Sequence, residues 1–492
     1  MAHGGTPAAG EGSAGDAVTG SKGENRVSQL NELFKEIYAD NLENLLPKGL
    51  KLQKDIAWIE KSKSPGAKYN QPVLMRHEHG FTYANSNSGA FPLAAAVPGQ
   101  TASCSILGTQ MMLRSVIDYE IAARASSAGK RTFRRALDLV VENMFASSRK
   151  RMEIDYFYGQ RPLAEIDAVV GDVVTVSDRS WAPGIWAGME GSKLDFFNDG
   201  SDTAGGDSAE TRLDNVQSFP DITDTILEAD LSGVNVQDKA LTIGTDHSAT
   251  LVALGGTSRS DWITFRGAWG TGVGTGRTPV HINGNVFAGM EAVMDRAVAG
   301  HTETFELDFT GNSLWQGNVV DASSAAGALD ASAATGGRLS FDLLANQIAT
   351  ASAKGLDENL ILYLNPHIWT DLILQEVDTA TASNRSQQRT GADAKSGYDI
   401  GGTSVRYHTA NGVVEIKPSN YVKQGFGFMF APKLWKRIGA TDLTFRLPDR
   451  GDECFLHLPE HAGYELRNYV SHALFTKAPA KSILIKNLKV AS

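Results

Sequence analysis

Cysteine is nearly missing from this chain of 492 residues: Cys104 and Cys454 stand alone and far apart. That separation makes neither a disulfide framework nor a metal or redox spacing. The fold is therefore expected to hold by its core, in a reducing compartment, with both thiols packed as small apolar groups. Long apolar runs are missing too. Nothing approaches the ~18–20 residues of a membrane-crossing helix, and the first residues lack the basic-then-apolar order of a secretion signal, so use without secretion is expected. Catalytic signatures are equally scarce. There is no G-x-S-x-G, no H-E-x-x-H and no cysteine with an interpretable histidine partner. Nucleophilic and zinc hydrolase chemistry has no anchor here, and the expectation is a protein that is not an enzyme and uses no cofactor. Positive charge is in the minority, 46 Lys and Arg against 56 Asp and Glu. A surface that coats nucleic acid all over is thereby excluded, while a local basic face is not.

What is present is ordinary globular material, 42% hydrophobic and 21% charged, enough for a large core and by length about three domains. Its most informative stretch is residues 130–157, KRTFRRALDLVVENMFASSRKRMEIDYF. There Phe133, Ala136, Leu137, Val140, Val141, Met144, Phe145 and Met152 follow i, i+3, i+4, i+7 spacing. The pattern predicts one helix of about 40 Å, longer than a single core requires. Ser126 or Ser127 can cap its start, and Gly159 with Pro162 must end it. Its basic residues crowd the two ends, Lys130, Arg131, Arg134 and Arg135 at one and Arg149, Lys150 and Arg151 at the other. They suit a face that tracks phosphates without reading bases. They suit equally a solvated face balanced by Asp138, Glu142, Glu153 and Asp155.

The rest of the chain divides by composition. Residues 1–26 are a Gly-, Ala- and Ser-rich low-complexity tail. Residues 27–58 carry a helical arm, with Leu30, Leu33, Phe34, Ile37, Tyr38, Leu42 and Leu45 in register before Pro47–Lys48–Gly49 stops it. Residues 59–106, broken by prolines into β-prone pieces, read as a long hairpin-like loop reaching for a neighbour. Residues 107–167 hold a first helix, with Leu113, Val116, Ile117 and Ile121 on one face, and then the long strut. A Gly-, Asp- and Thr-rich β insertion follows over 168–279. Residues 280–440 run helix, strand, helix, the order of a mixed domain, and 441–492 return to strands.

This order, together with three phrases, resembles the Hong Kong 97-type major capsid proteins of tailed bacteriophages. The phrases are KRTFRRALDLVVENMFASSRKRMEIDYFYGQ, VFAGMEAVMDRA with LWQGNVVDAS, and VEIKPSNYVKQGFGFMFAPKLWKRIG. The resemblance implies an α+β, Hong Kong 97-like fold. Its parts would be an N-arm (27–58), an extended loop (59–106), a peripheral domain with a spine helix (107–167), a mainly axial domain (280–440) and return strands of the peripheral domain (441–492). The insertion at 168–279 departs from the minimal fold. It further implies a structural protein that self-assembles through pentamers and hexamers into an icosahedral shell around packaged double-stranded DNA. The shell would be built in the bacterial cytoplasm and would reside in the virion. Partners would be other copies, with a scaffolding protein, portal and cement proteins as further candidates, and no membrane. The seven basic residues of the long helix would face the DNA. Some coats of this family cross-link a loop lysine. Lys61, Lys63 and Lys68 lie in the right kind of loop, but no acceptor asparagine matches, so a non-covalent shell is expected. A bacterial nanocompartment shell of the encapsulin kind is the alternative.

Other constellations carry less. His77, Glu78 and His79 place two histidines on one strand face, too few for a metal site without distant ligands. GTGVGTG at 270–276 lacks the Lys and Ser/Thr of a phosphate loop, and Arg450–Gly451–Asp452 suits a β-turn. Trp181, Trp186 and Trp262 in the insertion serve either as core anchors or as a sugar platform.

Overall fold

The computed structural model describes residues 24–25, 50–59, 68–87, 89–118, 120, 130–197, 227–244, 262–268, 286–295, 302–333, 335–382, 398–401, 404–409, 412–446, 455–457 and 463–490. In some of these stretches, 130–139 and 376–382 among them, it describes the backbone alone. Most of the tail and of the expected arm therefore lies outside the described residues, as do Ser126, Ser127 and Cys454.

After a short turn of helix, α1 (Leu52–Asp55), the chain runs out and back as a two-stranded ribbon. Strands β1 (Lys68–Arg76) and β2 (Gln100–Leu107) pair antiparallel from Lys68↔Leu107 to Arg76↔Gln100. Along β1, Tyr69, Gln71, Val73 and Met75 are half-buried while Asn70, Pro72, Leu74 and Arg76 are exposed, the period-two signature of a strand covered on one face. One further bridge, His79↔Val97, extends the pairing toward the tip.

The residues after Gly108 correct the sequence reading. The spacing of Leu113, Val116 and Ile117 predicts a helix, but the chain forms a strand, β3 (Thr109–Asp118). The cause is tertiary. All ten residues are matched across the late strand Gly463–Thr476, from Thr109↔His472 to Asp118↔Gly463, and Met111 and Leu113 turn inward while Gln110, Met112 and Arg114 turn out.

The long helix, α2 (Lys130–Tyr158), has 29 residues and spans about 43 Å. Its end enters the core: every residue from Met152 to Gly159 is buried. Gly159 stops it where the backbone of 287–289 crosses. A Cβ on Gly159 would sit 2.3 Å from the Phe287 carbonyl oxygen, and one on Gly289 would sit 2.5 Å from the Gly159 nitrogen. Only two glycines let those backbones meet and exchange the Gly289 N–H to Gly159 O bond of 2.8 Å.

The β-rich segment closes on itself. Strands β4 (Ala164–Val170), β5 (Val173–Val176), β6 (Lys193–Phe197), β7 (Leu227–Asn235), β8 (Ala240–Ile243) and β9 (Trp262–Phe265) form a closed barrel in the order β8-β5-β4-β9-β6-β7. Val174, Val176, Leu194, Phe196, Leu231, Leu241 and Ile263 fill its core. The barrel begins at Ala164, four residues before the composition changes, because β9 closes against Ala164 and Glu165.

A short helix α3 (Met290–Met294) leads to the second sheet, whose elements are β10 (Asn318–Asp321), α4 (Phe341–Ala353), β11 (Leu360–Leu364), α5 (Pro366–Ala382), β12 (Ser404–Thr409), β13 (Gly412–Pro418) and β14 (Gly427–Phe430). The helix–strand–helix order expected here is present. Ser340 caps α4 by accepting the Leu343 N–H at 3.0 Å, and all five residues of β11 are buried at the sheet centre. Then β15 (Trp435–Thr444) and β16 (Gly463–Thr476) join β3 in the first sheet. The last strand, β17 (Ile483–Lys486), does not stay with them. It lies between β10 and β14 in the second sheet, so the C-terminal strands serve both sheets.

Candidate functional site

The end of α2 collects three junctions. At the first, Glu153 faces the start of α1. Its Oε1 accepts the N–H groups of Lys51 at 3.0 Å and Leu52 at 2.8 Å, and its Oε2 accepts that of Gln53 at 3.2 Å. Burial pushes this carboxyl up to about 7, against the pull of those three donors. The other side of the same turn holds the second sheet: Lys51 Nζ donates to the Pro418 carbonyl at 2.6 Å, and Asp55 accepts from Lys417 Nζ at 3.1 Å and from the Tyr363 hydroxyl.

At the second junction α2 meets the barrel. Lys150 Nζ donates to the Ala187 carbonyl at 2.6 Å, and burial draws its ammonium down to about 8. The Arg151 guanidinium lies 3.2 Å from the centre of the Phe265 ring and 3.7 Å from Asp155, whose carboxyl burial raises to about 6. Arg149, by contrast, is exposed, with its guanidinium 5.6 Å from the Phe145 ring centre. Lys130, Arg131, Arg134 and Arg135 occupy the first two turns of the helix, and their side chains lie outside the described residues. Of the three basic residues whose side chains are described, two, Lys150 and Arg151, are thus engaged inside the subunit.

The third junction is a buried charge network. Asp295 Oδ2 accepts from Arg161 at 3.0 Å and from Lys486 at 2.7 Å, with the three side chains 0%, 2% and 6% exposed. Lys423 lies 3.6 Å from Glu291, donates to the Pro162 carbonyl at 2.7 Å and sits 4.1 Å from the centre of the Tyr158 ring. Burial pulls its ammonium below the usual range, with Glu291 opposing. The network ties the end of α2, helix α3, the loop after β13 and strand β17 to one point.

Elsewhere, His77 and His79 are exposed on the ribbon, and no group of three metal-ligating side chains occurs among the described residues. Trp181, Trp186 and Trp262 are buried, which removes them as a sugar platform. Cys104 is buried and donates to the Gln71 carbonyl at 3.1 Å, and burial raises its thiol. The GTGVGTG run and the Arg-Gly-Asp tripeptide lie outside the described residues. No described helix is long and apolar enough to cross a membrane.

No family model and no curated protein matches this chain. Solved structures do. The capsid asymmetric unit of cyanophage A-1(L) aligns over 93% of this chain and 98% of its own, at 9% identity and a TM-score of 0.47. The capsid of cyanophage P-SCSP1u aligns over 94% and 95%, at 11% identity and 0.39. The capsid of a native GTA particle aligns over 94% and 99%, at 9% identity and 0.36. All three structures are capsids.

Among the described residues, large exposed apolar side chains gather at the ribbon tip. Phe81 is 73% exposed, Tyr83 93% and Leu93 81%, and the Ala94 N–H donating to Thr82 Oγ1 at 2.7 Å brings the two arms of the tip together. Large apolar groups exposed together make the tip a candidate contact surface. The sequence reading located the loop and missed both the apolar tip and the buried charges. Some of the charges did leave a signal: Glu153 and Asp155 in MEIDYFY, Glu291 in MEAVM and Lys486 in ILIKN stand between apolar neighbours.

Proposed function

We propose that this chain is the major capsid protein of a tailed phage, a structural subunit that assembles through pentamers and hexamers into an icosahedral shell around double-stranded DNA. The observation that carries the reading is the ribbon of residues 68–107, a two-stranded extension ending in exposed aromatics. A free monomer gains nothing from it. A curved shell needs such overlaps, because extended elements enlarge each contact beyond what compact faces provide. The shell is held without covalent cross-links and forms in the host cytoplasm. Scaffolding, portal and cement proteins are its expected partners, and the barrel is an elaboration of the subunit.

The basic ends of α2 face the packaged DNA. Because Lys150 and Arg151 are held by the barrel, phosphate contact falls to Lys130, Arg131, Arg134, Arg135 and Arg149. Replacing these five with Gln should leave shells that form normally and, in a salt series on packaged particles, lose DNA at a salt concentration several-fold lower than the parent. Unchanged retention at every salt concentration would remove the helix from DNA contact.

A further inference from the structure

Strands β3 and β16 set Arg114 directly opposite Arg467. Both side chains leave the sheet on the face away from α2. Their strand neighbours Leu113 and Leu466 pack with Met144 and Phe145 of α2 on the other face, where Asn468 Nδ2 also donates to Ser148 Oγ at 3.1 Å. Like charges in such a register repel. One carboxylate holds them together: Glu465 Oε1 accepts Arg467 Nε at 2.6 Å and lies 3.0 Å from Arg114 Nε. The Glu465 side chain is 3% exposed, whereas those of Arg114 and Arg467 are 59% and 42% exposed.

This trio carries one positive charge in excess, and among the described residues neither guanidinium has another partner. With both Nε groups turned to Glu465, the terminal nitrogens of the two forks are free to donate to one further carboxylate. The next pair along the strands, exposed Met112 opposite half-buried Tyr469, lays an apolar shelf beside them. A basic pair beside an apolar shelf fits an acid carried among apolar side chains. The ribbon has one. Between Lys68 and Leu107 the sequence contains a single acidic residue, Glu78. It is exposed, and exposed Leu74 and Phe81 lie within four residues of it. Within one chain the arginines turn to Glu465, which leaves Glu78 of a second copy.

We propose that Glu78 of one copy docks between Arg114 and Arg467 of a second, with the ribbon's apolar side chains against Met112 and Tyr469. This rests on the shell reading and names the surface on which the ribbon closes.

The test uses the full chain, with assembly read by sedimentation in the same samples. Glu78→Gln and Arg114→Gln should each raise the subunit concentration at which particles appear about three- to tenfold, and the double variant should raise it no further than the stronger single, because both remove one contact. Arg467 stays on Glu465 throughout, so the unfolding midpoint should not move. In particles of the Arg114→Lys variant mixed from ¹⁴N- and ¹⁵N-labelled chains, carbodiimide should couple position 114 to Glu78 in a peptide pair that carries both labels. Losses that multiply in the double variant, or coupling at position 114 to Glu465 alone, would overturn the docking while leaving the shell reading intact. A parent chain that forms no particles would remove the shell reading, and the docking with it.

Discussion

Replacing Asp295 with alanine should cost the subunit about 3–5 kcal/mol of stability, read as a fall in the denaturant midpoint. The carboxylate is 0% exposed and is shared by Arg161 and Lys486. Its removal takes a shared acceptor away from two cations that are only 2% and 6% exposed, at the end of α2 and in strand β17. Coulomb attraction is not the main term. Burying the ions costs most of what their pairing returns, whereas leaving one partner alone exposes the full desolvation penalty. Asp295→Asn keeps the volume and one acceptor oxygen, and should fall between parent and alanine. A loss under about 1 kcal/mol for the alanine variant would mean that the network is solvated and the junction is held by its apolar neighbours instead.

The ribbon tip should show the reverse: no loss of stability and a complete loss of assembly. Phe81→Asp with Leu93→Asp changes two side chains that are 73% and 81% exposed, so the midpoint of unfolding should move by less than about 0.5 kcal/mol. If the tip seats on the next subunit of a shell, both positions become buried there, and each new carboxylate would meet an apolar surface without a partner. Shell yield by sedimentation should drop at least tenfold, leaving free subunits or single capsomers. Normal yield would show that the tip stays in solvent and that the ribbon has another use.

How much of this was legible depended on how far each element's partners lie along the chain. The long helix was legible because 3.6-residue periodicity and a stop at Gly159 are local properties, and it appears within one residue of the expected end. The helix–strand–helix run at 341–382 was legible for the same reason. Thr109–Asp118 was not, because its short apolar run satisfies helix and strand templates alike, and the deciding ladder is made with residues 463–472. Barrel closure was not, since Trp262 and Ile263 pair with Glu165 and Ala164 across a long intervening stretch. The charged ends of α2 looked alike in sequence. The structure separates Arg149, in solvent, from Lys150 and Arg151, which hold the barrel. That distinction depends on a tertiary neighbour that no helical spacing encodes.

The most direct test of the central claim is negative-stain electron microscopy of the full chain, expressed alone and beside its native neighbouring genes. Closed shells or sheets of five- and six-membered capsomers in either preparation are the expected result. A small discrete oligomer in both, with no curved assembly at any concentration, would contradict a capsid role and leave the ribbon and its exposed tip to a different partner.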